Sequence, residues 1–77
     1  MLARVQASRV EPVRYRVVVE GELGPRYAAA FEDMSLERGD GTTAIVGMVR
    51  DQSHLQGLID QVSALGLTLV SVARDNG

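Results

Sequence analysis

The chain has 77 residues and a mass of 8.3 kDa, is 45% hydrophobic and 23% charged, and carries a formal charge of −2 at pH 7. That describes one small globular domain with no room for a second. Cysteine is absent and histidine occurs once, which excludes disulfide frameworks, thiolate catalysis and iron–sulfur ligation and leaves a zinc cluster without most of its ligands.

Charge is unevenly placed along the chain. Through residue 16, Arg4, Arg9, Arg14 and Arg16 stand against Glu11 alone, for +3, whereas the remainder carries four arginines against nine acids, for −5. A solvated, flexible arm over residues 1–12 is expected ahead of a single domain over residues 13–74 and a disordered tail over residues 75–77. No stretch approaches the roughly 20 apolar residues of a membrane span, and residues 1–12 hold no apolar run long enough for a signal core. The expectation is a cytoplasmic protein with no membrane partner.

The first predicted element is a strand over residues 13–20, VRYRVVVE, which alternates and then runs apolar, as a strand does that leaves solvent for a covered sheet. Gly21 stops it. Gly24, Pro25 and the three alanines that follow predict a short helix, with Tyr27, Ala30, Phe31 and Met34 as its apolar stripe. A short second strand over residues 34–38 and a longer third over residues 42–50 flank Gly39-Asp40-Gly41, a strong hairpin turn. Glu37 and Arg38 suit the second strand to an exposed edge.

From Asp51, the apolar residues Leu55, Leu58, Ile59, Val62 and Leu65 recur at three- and four-residue steps along one helical face. Asp51 or Ser53 caps the start, and Gly66 sits where a left-handed C-terminal cap is wanted. Residues 67–73, LTLVSVA, then predict a fourth strand. Strand, helix, strand, strand, helix, strand in so short a chain predicts an α+β, ferredoxin-like βαββαβ sandwich. Its four antiparallel strands would take the order 4-1-3-2, with both helices on one face.

In such a sandwich one sheet face meets water, and each strand should then carry one polar row. The third strand does not comply: Thr43, Ile45, Gly47 and Val49 form one row, and Ala44, Val46, Met48 and Arg50 the other. A patch drawn from Val18, Val46, Met48, Val70 and Val72 is therefore expected to remain uncovered. A chain this size buries only about 60% of its unfolded surface, and oligomerisation is a common way to complete its stability. A homodimer packed sheet to sheet through those residues is expected, with a second protein as the other occupant.

Candidate chemistry is sparse. Gly21, Glu22, Leu23 and Gly24 form a loop able to offer backbone N–H groups to a small ligand, although a plain turn is the stronger reading. Gly57, inside the second helix, points to close backbone packing against the sheet, the other helix or a partner. His54, with Tyr15 and Arg16, would assist proton transfer if the chain were an enzyme of the cofactor-free dimeric α+β barrel type. No nucleophile, base and oxyanion donor converge to support that, so no catalytic residue, metal ligand or cofactor is assigned. RNA-recognition domains share the element order but stack bases on aromatics of strands one and three. Here the third strand has none and the first only Tyr15, which disfavours nucleic acid as a partner.

Two resemblances add to this. Val17-Val-Val-Glu-Gly-Glu-Leu-Gly24 followed by a short helix resembles ACT regulatory domains, which bind amino acids at dimer interfaces near that loop. This chain lacks the acidic-residue-plus-Pro-Gly turn such domains often show. The stretch from Gly41-Thr42 through Asp51-Gln52 and Leu55-Gln-Gly-Leu58 to Leu65-Gly-Leu-Thr-Leu-Val-Ser-Val72 resembles a widespread set of uncharacterised bacterial proteins of about this length. The second resemblance implies kinship of fold and brings no activity. The expected role is a small homodimeric accessory or regulatory binding module.

Overall fold

The computed structural model describes residues 12–75. The expected arm, apart from Pro12, and the last two residues of the expected tail lie outside them. The described chain is α+β. It runs β1 (Val13–Glu20), a 3₁₀ helix (Pro25–Phe31), β2 (Ser35–Gly39), β3 (Thr42–Val49), α1 (Gln52–Ala64) and β4 (Leu69–Arg74). The four strands form one antiparallel sheet whose order, counted from the β2 edge, is β2-β3-β1-β4.

The hairpin between β2 and β3 is set by Asp40 and Gly41. Gly39 pairs with Thr42, so the two residues between them make the turn, with φ of 56° and 78° respectively. Positive φ at both central positions matches the right-handed twist of the flanking strands and is the geometry an Asp-Gly pair favours. It locks the register that places Leu36 beside Ile45 and Glu37 beside Ala44.

Between β1 and β2 the predicted helix is a 3₁₀ helix of seven residues. Its tighter winding places side chains three apart on the same line, so Tyr27 and Ala30 both reach the core while Phe31 is buried beside them. Pro25 starts it without loss, because the missing N–H would have had no partner in the first turn.

Helix α1 is capped at both ends. The Asp51 carboxylate accepts the His54 N–H at 2.8 Å, and the Arg50 N–H donates to His54 Nδ1 at 2.9 Å. At the other end Gly66, at φ 76°, donates to Ser63 O at 2.9 Å while the Leu67 N–H reaches back to Val62 O at 3.1 Å. This paired closure consumes Leu67, which is why β4 begins two residues later than the apolar run suggests.

The core lies between the sheet and the helices. Val17 and Val19 of β1, Ile45 of β3, Phe31 of the 3₁₀ helix, Leu58 and Val62 of α1, and Leu23 are its buried members. Burying side chains of this kind contributes about 1.5–3 kcal/mol each. Because Val17 stands opposite Ile45 and Val72, and Val19 opposite Thr43, the row Thr43, Ile45, Gly47 and Val49 faces the helices. Gln61 Nε2 donates to Ala30 O at 2.7 Å, tying α1 to the 3₁₀ helix above that core.

Gly47 has a specific reason. A β-carbon there would fall on the Met34 sulfur and crowd Asp33 O, so glycine lets the thioether lie directly on β3. Within the described chain nothing packs closely on Gly57, neither the sheet nor the 3₁₀ helix: a β-carbon there meets nothing within 4 Å.

Candidate functional site

The free side of the sheet carries Arg14, Arg16 and Val18 of β1, Glu37 of β2, Ala44, Val46 and Met48 of β3, and Ser71 and Ala73 of β4. Alternation along each strand and the pairings Arg14↔Met48, Arg16↔Val46, Val18↔Ala44 and Arg16↔Ala73 place them there. Val18, Val46 and Met48 thus share a side. Val72 does not: it stands opposite Val17 and packs against the core on the side of the helices. Val70 is the extra residue of a bulge, since Val18 pairs with Ser71 while Val19 pairs with Leu69. It sits at the edge of the sheet, 52% exposed.

The middle of the free side is already roofed. Arg16 Nη2 meets Glu37 Oε1 at 3.1 Å, and this pair, joining β1 to β2, crosses over β3 where Val46 and Ala44 lie. Val46 is 1% exposed and Ala44 7%, although no helix covers them. The aliphatic stem of Arg16 lies along apolar surface with its charged head kept in water. Arg14 Nε also donates to Asp75 Oδ2 at 3.1 Å, and Arg16 Nη2 lies 3.8 Å from the same carboxylate. Asp75, assigned to the tail on sequence, is held further by its N–H donating to Arg14 O at 2.8 Å. Of the large apolar side chains on this side, Met48 is the well exposed one, at 49%.

The β4 edge is different in character. The bond from the Asp75 N–H to Arg14 O and the pairing of Ala73 with Arg16 turn the backbone groups of residues 71, 73 and 75 toward β1. Those of Val72 and Arg74 therefore point outward, where no described strand pairs with them, and the alternation stops at the Val70 bulge. Leu69 is 41% exposed beside Val70, and Leu65, at the end of α1, is 39% exposed. Among the described residues, three of the four exposed large apolar side chains thus fall within residues 65–70. The opposite edge, β2, carries Glu37 and Arg38, and the Arg38 guanidinium is anchored on Leu23 O.

In the loop from Gly21 to Gly24, backbone groups are already engaged. The Gly21 N–H donates to Gly41 O at 2.7 Å, and the Leu23 N–H donates to Thr43 Oγ1 at 2.9 Å. The Thr43 hydroxyl in turn donates to Gly21 O at 2.7 Å, and the Glu22 carboxylate accepts the Gly41 N–H at 3.1 Å. Leu23 is 6% exposed and belongs to the core. The loop is therefore a brace between the first strand and the hairpin, with the Gly21 and Leu23 N–H groups already engaged within the fold.

The three side chains named for acid–base chemistry are in three places. Tyr15 lines an open cleft of about 140 Å³ beside Arg50, Gln52 and Arg74. His54 lines another of about 230 Å³ with Phe31, Met34, Gly57 and Gln61, and Arg16 is on the far side of the sheet. Among the described residues no three of His, Cys, Asp or Glu come together as a metal site, and no helix is long and apolar enough to cross a membrane.

Sequence reasoning missed the Arg16–Glu37 roof and the role of Asp75. The alternation Arg14-Tyr15-Arg16 and the turn at Asp40-Gly41 hinted at the first. The register of β1 against β3, which aligns the two charges, is a property of the folded sheet. No curated protein and no solved structure matches the chain. Residues 14–73, which run from β1 to β4 and take in the sheet but for its end residues Val13 and Arg74, match the model of a domain of unknown function, DUF8691, and the chain belongs to that family.

Proposed function

We propose that this protein is a small self-associating binding module, built as a ferredoxin-like βαββαβ sandwich, which uses its sheet to bind a second copy and thereby presents a composite surface to another protein or a small ligand. The observation that carries this reading is the placement of exposed apolar side chains. Met48 on the free side and Leu69 and Val70 on β4 remain 49%, 41% and 52% exposed, while the space between sheet and helices is filled by the core cluster. Two open clefts of about 140 and 230 Å³ are smaller than the ~300–1,000 Å³ typical of small-molecule sites, which favours binding across surfaces over binding in a pocket.

Molar mass by light scattering after size-exclusion chromatography, over a hundredfold range of loading concentration, tests the reading. Twice 8.3 kDa is expected at the upper end. A mass of 8.3 kDa throughout the range overturns it.

A further inference from the structure

The helix side of the sheet is left open at one end. Val13 and Tyr15 continue the row of Val17 along β1, Val49 continues that of Ile45 along β3, and Arg74 follows Val72 on β4, so all four share the side on which α1 packs. α1 begins only at Gln52, and between its first turn and these strand ends lies the open cleft of about 140 Å³, with Leu55 as its wall. Val49 is buried and Val13, Tyr15 and Leu55 are half-buried, which makes the floor mainly apolar.

The rim carries the charge. Arg74 stands on the β4 bank, opposite Tyr15, and Arg50 stands on the β3 bank, next to Val49. Elsewhere among the described residues the guanidinium groups are spent. Arg14 and Arg16 are ion-paired, Arg26 lies over the Tyr27 ring at 5.5 Å, and Arg38 donates to Leu23 O. Arg50 and Arg74 have no side-chain partner among the described residues, and neither has the Tyr15 hydroxyl. The acid of the cleft, Asp51, is committed to the helix, since its carboxylate accepts the His54 N–H at 2.8 Å. Two arginines against one acid leave a local +1 on a chain whose formal charge is −2, and such a cleft draws an anion.

We propose that this cleft is a binding site for a small monocarboxylate with a short aliphatic stem. Arg50 and Arg74 take the carboxylate from the two banks, because the guanidinium fork matches that group, and the Tyr15 hydroxyl donates to it as well. The stem lies on Val13, Val49 and Leu55. A monoanion balances the charge of the rim, whereas the second charge of a dianion would stand against Asp51. The volume lies below the ~300 Å³ of ordinary small-molecule pockets and limits the ligand to a few carbons. The site is complete within one copy, so it does not depend on self-association.

The probe is butanoate, titrated into isotope-labelled protein at neutral pH and low chloride and followed by amide chemical shifts. Saturable shifts at Tyr15, Arg50 and Gln52 are expected, with a Kd of about 1 mM. Butanamide, the same stem without the charge, and inorganic phosphate, charge without the stem, are each expected to bind at least about tenfold more weakly. Arg50→Gln and Arg74→Gln should each weaken butanoate about tenfold, the loss of one charge-assisted hydrogen bond, at an unchanged unfolding midpoint. Arg26→Gln removes the same charge away from the cleft and should keep the parental affinity. No saturable shift with butanoate at tens of millimolar would overturn the site. So would butanamide or phosphate binding as tightly as butanoate, parental affinity in both cleft variants, or an equal loss in Arg26→Gln. The comparison of probes needs no substitution and stands even if a variant fails to fold.

Discussion

Arg16 on β1 and Glu37 on β2 have a strand between them, yet their side chains meet at 3.1 Å across β3, over Val46 and Ala44. The pair converts what would be an open apolar strip into a shielded one. Its charged ends are 39% and 52% exposed, so most of its value lies in the cover and little in the ion pair.

That division is measurable. Arg16→Ala is expected to cost about 1 kcal/mol in urea unfolding, from lost cover more than lost charge. Arg16→Met keeps an apolar stem over Val46 and should stay within about 0.5 kcal/mol of the parent. Equal losses for the two variants would assign the effect to charge instead.

Thr43 is wholly buried and its hydroxyl serves two loop groups, accepting from the Leu23 N–H and donating to Gly21 O. Thr43→Val keeps the shape and orphans both, for an expected cost of about 2 kcal/mol. Thr43→Ser should recover most of it. Amide exchange at Leu23 is the local check: it should accelerate in the valine variant and not in the serine one.

Gly47 and Met34 form a second coupled pair. Gly47→Ala drives a methyl group into the thioether, with an expected loss of about 2 kcal/mol. In the double variant with Met34→Ala the sulfur is gone, and the combined loss should be clearly smaller than the sum of the two single ones. Additive losses would place the strain on the Asp33 and Met34 backbone.

Gly57 lies in α1 with open space around its α-carbon. Gly57→Ala should therefore stabilise the fold by about 0.5–1 kcal/mol, through helix propensity and a less flexible unfolded chain. A higher midpoint in thermal or urea unfolding is the expected result. A lower one would mean that the glycine serves a contact within the chain.

Much of the architecture was legible in the sequence because it rests on local rules. The β1 limits follow from alternation ending at Gly21, and α1 from its three- and four-residue apolar spacing between Asp51 and Gly66. The Asp40-Gly41 turn carries its own backbone preference. The winding of the 3₁₀ helix was not legible, since it comes from fitting Tyr27, Ala30 and Phe31 over one stretch of sheet within a short connection.

The candidate surface was legible only in part. Residues of a strand sort into two rows from sequence alone, and Val18, Val46 and Met48 do share a side. Which row faces the helices, and where Val72 and Val70 fall, depends on a bulge at Val70 and on pairing across 50 or more residues of chain. Such pairings are chosen by the summed fit of every strand and helix at once, and no local window contains them. The sequence by itself determined the elements and their turns, through backbone preference and periodicity. Only the tertiary structure decided that Arg16 would roof Val46, that Gly47 would seat Met34, and that β4, without charge from Leu69 to Ala73, would be left at the edge, because each depends on which distant residues the packed sheet brings side by side.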